Sequence, residues 1–506
     1  MAAKLTDPPA PDALSSAPAP APAPAPAAQR AGRALSLDRR SLVLAAGLAL
    51  AVFAAAWYRH HTFRSTSLDL AVYDQAVWKL AHLRAPDLST IGWNAFADHF
   101  SPALLFFAPL YRLAATPLWL LAAQAVALGA GFLAVGPLLD ILGVTGRWRG
   151  AFRFACLASP LLWNAALYDF HTTTLAVPFV LAGLRAGLLD RRRLLLGCLL
   201  ALLVLRDDLG LTAAAMALAG FGALDRDGRR FRLVLVAGAL GWMAAGGAIA
   251  GLLGSDRHWA FHYGYLASSP GAAVLHPVRT AARLALGLAR WDNVALVVVG
   301  LLAPLALLPA LAPRRLALAA LPLLPLLASA GSQFHSIRFQ YGAYLFPFAL
   351  LAAASAVPRA RRAAAVLDDP KLAVAGTGAL LVAAGPLGQL TTHVAPARDY
   401  QRALAHIAPG ETVMATDEIG PHLAHRDGLL LFPFAVAAVG AEFPLPAAAR
   451  TSTPEKVAAI DAIVVGPVLH PESAPAYEAF ARSPYLADFP YVTHFGRVTL
   501  YRRTPG

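Results

Sequence analysis

The stretch SLVLAAGLALAVFAAAW, residues Ser41–Trp57, decides the fold class of this chain. It carries no charged residue and is long enough for a helix to cross a bilayer. Similar apolar runs recur between short arginine clusters, and 58% of the 506 residues are hydrophobic while 14% are charged. The pattern predicts an all-α polytopic membrane protein, because membrane β-barrels show alternating hydrophobicity instead.

Charge and cysteine content argue against several other classes. The formal net charge is +13, but the arginines stand in small groups between apolar runs, where the bias toward the cytoplasmic side accounts for them. We therefore expect membrane lipids as partners and no nucleic acid. Cys156 and Cys198 lie in or beside apolar runs, too far from any histidine or second cysteine to suggest a zinc site or a disulfide.

The chain is predicted to have three parts. Residues 1–40 are rich in alanine and proline and should form a disordered cytoplasmic tail. Residues 41–388 should form the membrane domain, in which the Ser41–Trp57 run stays as a signal anchor because no cleavage pattern closes it. The ordinary polarity of residues 389–506 predicts a small soluble α/β domain.

Taking the arginine-rich segments as cytoplasmic gives about eleven spans in the bacterial cytoplasmic membrane, with the N-terminus inside and the C-terminal domain outside. The stretch 194–224 is interpreted as two short helices that meet at Arg206-Asp207-Asp208. The predicted spans lie near residues 41–57, 117–140, 151–167, 172–189, 194–206, 209–224, 233–254, 293–312, 316–331, 342–357 and 372–388. The segments left outside are 58–116, 168–171, 207–208, 255–292 and 332–341.

Local patterns also predict the elements of the soluble domain. A helix is expected near Tyr400–His406 and a strand near Thr412–Ala415. Ala462–Val465 has the composition of a buried strand, and Tyr491–Arg502 that of a β-hairpin turning at residues 495–497.

Acid, histidine, arginine and tyrosine side chains cluster in the predicted outer segments. A charge facing lipid at mid-bilayer costs roughly 2.5 to 3.5 kcal/mol, so the charges that remain in such a chain are expected to line a cavity. The clusters are SLDLAVYDQAVW (Ser67–Trp78), ADHFSP (Ala97–Pro102), YDFH (Tyr168–His171), RDD (Arg206–Asp208) and QFHSIRFQY (Gln333–Tyr341).

At SLDLAVYDQAVWKL, ADHFSPALLFFAPLY, YDFHTTTLAVP, RDDLGL and DEIGPHLAHR, the chain resembles a bacterial membrane-protein family, domain of unknown function 2079, from about Arg59 to the C-terminus. That family is distantly similar to the GT-C glycosyltransferases, integral membrane enzymes that take a sugar from a polyprenyl-phosphate donor. The resemblance implies a GT-C-like membrane domain and a lipid-linked sugar donor.

GT-C enzymes place an essential carboxylate soon after the first helix, commonly as Asp-acidic-x-x-Tyr. Here the string is Asp69-Leu70-Ala71-Val72-Tyr73, in which the second acid is missing and Asp74 follows the tyrosine. The resemblance implies Asp69 as the catalytic carboxylate, with Asp74 as a second candidate and Tyr73 near the substrate. On a helix over residues 68–80, Asp69 and Tyr73 would share a face and Asp74 would point about 140° away. The alternative is that Asp69 caps an interfacial helix.

Glycosyl transfer from a lipid phosphate needs a carboxylate for the acceptor's proton and cations for the leaving phosphate. Asp98 and His99 are candidates to share a divalent cation with Asp69, unless Asp98 caps the next helix. Arg338 is expected either to contact the donor phosphate or to anchor lipid head groups. Further candidates to contact substrate, with a solvated turn or a structural ion pair as the alternatives, are Asp169, His171, Arg206, Asp207, Asp208, His335 and Tyr341.

The remaining histidine-rich segments receive weaker assignments. The segment DRHWAFHYGY, with His258 and His262, is interpreted as an interfacial aromatic anchor. Asp417, Glu418, His422 and His425 are expected to have an accessory or carbohydrate-contacting role. The sequence thus predicts a glycosyltransferase acting at the outer membrane face, against two alternatives: a transporter or lipid flippase, suggested by the broken helix at Arg206, and a non-catalytic scaffold.

Overall fold

The Ser41–Trp57 run forms most of a long first helix, α1 (Arg39–His61). The Asp38 side chain accepts a hydrogen bond from Ser41 N at 2.7 Å, which satisfies one of the free amides of the first turn. Arg59, His60 and His61 lie in the last turn, where basic side chains interact favourably with the negative end of the helix dipole.

The computed structural model describes residues 38–253, 258–363, 369–383, 386–391, 394–432, 454–467, 482 and 484–505, all within the compact unit Leu37–Gly506. Residues 1–37 of the predicted tail lie outside this set. After α1, the α-helices are α2 (Val72–Ala81), α3 (Ala95–Asp98), α4 (Ala108–Leu113), α5 (Leu118–Ile141), α6 (Gly146–Leu157), α7 (Pro160–Leu167), α8 (Ala176–Leu188), α9 (Arg192–Leu205), α10 (Gly210–Ala217), α11 (Arg226–Leu252), α12 (His258–Tyr263), α13 (Pro270–Leu275), α14 (Pro277–Leu288), α15 (Trp291–Val294), α16 (Pro313–Leu316), α17 (Ala320–Leu327), α18 (Phe346–Ala363), α19 (Pro370–Ala383), α20 (Pro386–Thr391), α21 (Ala397–Leu404) and α22 (Pro454–Ala458).

Four helices of the described chain are long and apolar enough to cross a membrane: α1, α5, α11 and the segment Gln340–Ala360, which contains most of α18. The pair Pro277–Leu288 and Trp291–Leu305, bent by 62°, makes a fifth if it is one span. The prediction of about eleven spans is therefore wrong for the part of the chain that the structure describes, in which four or five helices are long and apolar enough to cross a membrane.

Most of the other predicted spans hold shorter helices because charges and prolines interrupt them. The predicted span 151–167 breaks before Pro160, and the two short helices predicted for 194–224 are present as α9 and α10, separated at Arg206. Prolines also divide residues 293–331. There the chain forms a π-helix (Ala295–Leu302) and 3₁₀ turns at Ala303–Leu305, Leu308–Leu311 and Ala317–Ala319.

The first loop, defined as the residues between α1 and α5, folds into short elements of its own. A π-helical turn (Ser67–Ala71) leads directly into α2. A two-stranded antiparallel sheet of β1 (Asp87–Leu88) and β2 (Trp93–Asn94) follows, then α3, a 3₁₀ segment (Pro102–Phe107) and α4. The predicted α-helix over 68–80 therefore begins four residues late, and Asp69 lies in the π turn.

The C-terminal domain contains a five-stranded sheet with the order β4-β3-β5-β7-β6. The strands β3 (Val413–Ala415), β4 (Leu429–Leu431) and β5 (Ala462–Val465) are parallel, while β6 (Tyr491–Phe495) and β7 (Val498–Arg502) form an antiparallel hairpin on β5. Gly496, with φ of 60°, lies in the hairpin turn. The predicted helix, strands and hairpin are confirmed, whereas the sequence analysis did not anticipate β4.

Arginines gather at the end of the bundle where α1 begins. Arg153 Nη2 donates to Ser41 Oγ at 2.5 Å, in the first turn of α1. Arg232, fully buried, pairs with Asp190 at 3.0 Å and donates to the Gly187 carbonyl, which joins the start of α11 to the end of α8. Asp69 follows the opposite end of α1, about 33 Å away along a 23-residue helix. Arg153 and Arg232 thus lie at the end of α1 opposite the first loop, while Arg59, His60 and His61 lie at the loop end, where Arg59 is 3.9 Å from Asp169.

Candidate functional site

Asp69 projects from the π turn, a distortion that is frequent at functional sites in proteins. Its Oδ1 lies 2.8 Å from His171 Nε2, and its Oδ2 accepts from Thr66 Oγ1 at 2.8 Å. The Asp69 side chain keeps 16% of its surface exposed, whereas the His171 side chain keeps 4%. Asp69 is therefore the more exposed member of this pair, and the buried His171 positions it through their hydrogen bond.

The loop Tyr168–Leu175 between α7 and α8 brings His171 and Asp169 to this point. Asp169 has φ of 58°, a left-handed conformation that Asp tolerates better than most residues. Gln124 of α5 fixes the loop, because its Nε2 donates to the Asp169 carbonyl at 2.7 Å and its Oε1 accepts from His171 N at 2.9 Å.

Thr66 joins two carboxyl groups. Its Oγ1 lies 2.8 Å from Asp69 Oδ2 and 2.9 Å from Asp169 Oδ2, and its backbone N donates to the same Asp169 oxygen at 2.7 Å. A hydroxyl has one proton to donate, so both contacts are favourable together only when one carboxyl carries a proton. Burial raises the pKa of Asp169 and so favours its protonation. The Arg59 guanidinium, 3.9 Å away, lowers that pKa and so opposes protonation.

A third carboxyl reaches this cluster from the C-terminal domain. Asp417 Oδ1 accepts from Ser67 N at 2.8 Å, and its carbonyl accepts from Ser67 Oγ at 2.8 Å. Burial, together with the negative charges of Asp69 and Asp169, raises the pKa of Asp417 to about 7. We call Asp69, Asp169, His171 and Asp417 the Asp69 cluster.

Aromatic and charged groups adjoin the Asp69 cluster. The Tyr73 ring lies edge-on to His171, with centroids 5.9 Å apart. Burial raises the pKa of Tyr73 to about 12, and Arg206 and Asp98 are close enough to influence it. Tyr341 interacts electrostatically with Asp69, Arg206, Tyr73 and Asp98. Predicted site residues from several separate segments therefore converge in one region.

The Arg206 guanidinium forms an ion pair with Asp208. Its Nε donates to Asp208 Oδ1 at 2.6 Å and its Nη2 bonds the other oxygen, a bidentate ion pair at the break between α9 and α10. Asp207 lies against Gly246 of α11, and its N donates to the Phe100 carbonyl at 3.1 Å. The structural ion pair considered as an alternative for Arg206 is therefore present, and the Asp207 amide joins the helix break to the first loop.

Asp74 lies in different surroundings from Asp69. Its Oδ1 accepts from Tyr111 OH at 2.7 Å and lies 2.9 Å from His425 Nε2, and 2% of its side chain is exposed. These partners come from α4 and the C-terminal domain. Asp74 therefore joins the domains, and its geometry gives no access to a substrate shared with Asp69.

The predicted residues from Gln333–Tyr341 separate from one another. His335 is buried with its Nδ1 3.0 Å from Asp292 Oδ2, whereas the Arg338 side chain is exposed. The Arg338 carbonyl accepts from Gln389 Nε2 at 3.2 Å, and the Gln389 carbonyl accepts from Arg59 Nη1 at 2.7 Å. Hydrogen bonds from side chains to backbone carbonyls thus connect the Arg338 segment, through Gln389, to Arg59 beside the cluster.

Asp98 and His99 are the residues predicted to share a divalent cation with Asp69. Asp98 ends α3 and His99 caps its C-terminus. The described residues contain no group of three or more His, Cys, Asp or Glu side chains arranged to hold a metal ion.

The sequence analysis missed Arg59, Thr66 and Gln124, which hold Asp69 and Asp169. Arg59 stands at the end of an apolar run beside the motif, a position that could have been noted. Thr66 and Gln124 carry no sequence signal of this kind, because their roles depend on how α1, α5 and the Tyr168–Leu175 loop pack.

Comparisons with known proteins agree with the membrane character of the chain. No curated protein matches the sequence. A family model described as "Predicted membrane protein (DUF2079)" matches residues 59–458, a range that includes α1's last turn, the Asp69 cluster and the Asp417 loop. The chain is therefore a member of the DUF2079 family of predicted membrane proteins.

Proposed function

We propose that this protein is a membrane glycosyltransferase of GT-C type that transfers a sugar from a polyprenyl-phosphate donor at the outer face of the bacterial cytoplasmic membrane. The observation that carries the proposal is Asp69, a partly exposed carboxylate held by buried His171 and Thr66 at the end of an apolar helix. The outer location is supported by the arginines at the far end of α1, since basic residues favour the cytoplasmic side.

Asp69 acts as the general base in this proposal. It accepts the proton of an acceptor hydroxyl as that oxygen bonds to the sugar's anomeric carbon, while the bond from that carbon to the phosphate oxygen breaks. The electron pair leaves with the polyprenyl phosphate, whose charge is stabilised by a cation. Arg338, the exposed arginine linked through Gln389 to Arg59, is the candidate for that contact.

The test uses full-length protein in nanodiscs with a panel of polyprenyl-phosphate sugars. We expect transfer or donor hydrolysis with at least one donor, and a loss of about 10²-fold or more in kcat for Asp69→Asn, the range for removal of a general base. Asp140→Asn is the matched control, because Asp140 is an exposed carboxylate paired with Arg149 away from the cluster.

Two outcomes would contradict the proposal. One is a folded protein with no transfer or hydrolysis across the panel. The other is Asp69→Asn turning over donor at the parent's rate. Movement of the donor lipid across proteoliposomes without transfer would favour the flippase alternative, which the broken helix at Arg206 supports.

A further inference from the structure

The π turn that carries Asp69 lacks the usual local cap. Thr66 occupies the cap position with extended backbone, but its side chain makes no capping hydrogen bond. Its hydroxyl is engaged by Asp69 and Asp169 instead. The amides at the start of a helical turn need acceptors when they are buried, so the turn depends on a partner from elsewhere in the chain.

Asp417 supplies that acceptor from 350 residues away in sequence. Its carboxyl accepts from Ser67 N at 2.8 Å, and the Leu68 amide is close enough to influence its pKa. Its carbonyl accepts from Ser67 Oγ at 2.8 Å. An N-cap Asp likewise accepts, through its side chain, from amides in the first turn of its own helix, whereas here the acceptor comes from the C-terminal domain.

Because Gly420 has no side chain, the Asp417 loop can pack closely against Ser67. A Cβ at this position would overlap the Ser67 hydroxyl and lie 3.0 Å from Ser67 Cβ. Rotating the hydroxyl away would break its bond to the Asp417 carbonyl, so the clash cannot be relieved without losing that contact beside the cap. Asp417 and Gly420 of the C-terminal loop thus both maintain the contact with Ser67.

Neighbouring contacts hold the same loop against the first loop. The His422 ring stacks on the His60 ring with centroids 4.3 Å apart. Gln75 Nε2 donates to the Arg426 carbonyl at 2.7 Å. The cap is therefore one part of an extended interface, and losing it alone should leave the C-terminal domain docked.

We propose that Asp417 is a positioning residue: as a cap supplied by the C-terminal domain, it fixes the turn that aims Asp69, so that this domain completes the site. The inference rests on the proposed function of Asp69 for its catalytic consequence, but its structural content can be measured without any activity.

The substitutions separate capping from charge. Asp417→Ala removes the acceptor, whereas Asp417→Asn keeps an amide oxygen that can accept from Ser67 N. Since Asp417 has a pKa of about 7, a neutral side chain is already well populated there at neutral pH. Gly420→Ala disturbs the cap by steric overlap, and Gly410→Ala is its control because nothing lies within 4 Å of that Cβ.

The experiment is hydrogen–deuterium exchange on the full chain in nanodiscs, read at peptides covering Ser67 and Leu68. Asp417→Ala and Gly420→Ala should raise exchange there at least tenfold, while Asp417→Asn and Gly410→Ala stay within about threefold of the parent. In the transfer assay, Asp417→Ala and Gly420→Ala should lower kcat about tenfold or more with KM little changed, whereas Asp417→Asn should keep most of the parent's rate.

Unchanged exchange in Asp417→Ala would overturn the inference. So would Asp417→Asn proving as damaging as Asp417→Ala, since charge rather than capping would then matter. A parent without transfer activity, combined with the expected exchange pattern, would refute the glycosyltransferase proposal and leave the positioning role supported.

Discussion

At the scale of single residues, the site depends on side chains that sequence patterns do not single out. The acids and His171 could be predicted from the residue types and their place after apolar runs. Their partners could not, because Thr66 and Gln124 are ordinary polar residues whose hydrogen bonds form only when three segments pack together. Helical spacing places Asp74 about 140° around from Asp69, and in the structure it bonds Tyr111 and His425 instead of joining the Asp69 cluster.

Gln124→Leu tests how far the Asp169 loop depends on one buried amide. The change leaves the Asp169 carbonyl and the His171 amide without their Gln124 partner in a buried region, and each such group costs about 1–3 kcal/mol. We expect a clear fall in the thermal midpoint in detergent and weaker transfer. The control Gln401→Leu changes an exposed helical glutamine and should leave both near the parent's values. Equal midpoints for the two variants would contradict this role.

At the scale of elements, regular strands and the positions of several apolar helices were predictable, whereas the number of long membrane helices was not. The Ala462–Val465 strand and the Tyr491–Arg502 hairpin follow local patterns of β-branched residues and a Gly turn, and they form where predicted. Apolar runs in the membrane domain indicate burial in lipid but not helix length. Pro160 interrupts a predicted span, the predicted break at Arg206 is present, and prolines divide residues 293–331 into short elements.

Close packing of α10 on α11 predicts a sensitive glycine. A Cβ at Gly210 would lie 2.7 Å from the Ala239 carbonyl oxygen, a backbone atom that cannot move aside. Gly210→Ala should therefore destabilise the protein by about 1–3 kcal/mol, as overpacking does. Gly197→Ala on α9, with nothing within 4 Å, should be neutral or raise the thermal midpoint. Equal midpoints in nanodiscs would show that α10 and α11 do not pack this closely.

At the scale of the whole molecule, two groups that bind protons, Asp417 and His425, lie where the C-terminal domain meets the first loop, and a third, Glu418, lies inside that domain. Burial raises the pKa values of Asp417 and Glu418 to about 7. Burial alone would lower the pKa of His425, but its hydrogen bond to Asp74 and the charge of Asp74 outweigh this and the pKa is raised. His425 also adjoins Trp78 and Tyr111, Asp417 faces Ser67, Asp69 and Asp169, and Glu418 contacts Tyr400.

Burial lowers the pKa of His422 to about 4, an opposite shift whose effect lies mainly below about pH 6.5. The shifts of Asp417, Glu418 and His425 have one sign and predict pH-dependent docking. Each group binds its proton more tightly in the docked protein than in a free chain, so its contribution is lost as pH rises through the docked pKa. Exchange of residues 417–429, corrected for the intrinsic rate, should become several-fold faster between about pH 6 and pH 8.5. His425→Gln should reduce the dependence, and the exposed His494→Gln should not. Slower corrected exchange at high pH would contradict the sign.

The central claim is that Asp69 removes a proton from the acceptor. Azide is an acceptor that carries no proton at neutral pH, so its attack on the donor sugar needs no base. With azide, the cleavage rates of the Asp69→Asn variant and the parent should lie within about tenfold of each other, while the variant stays about 10²-fold or more slower with a hydroxyl acceptor. A variant equally impaired with both acceptors would contradict the account.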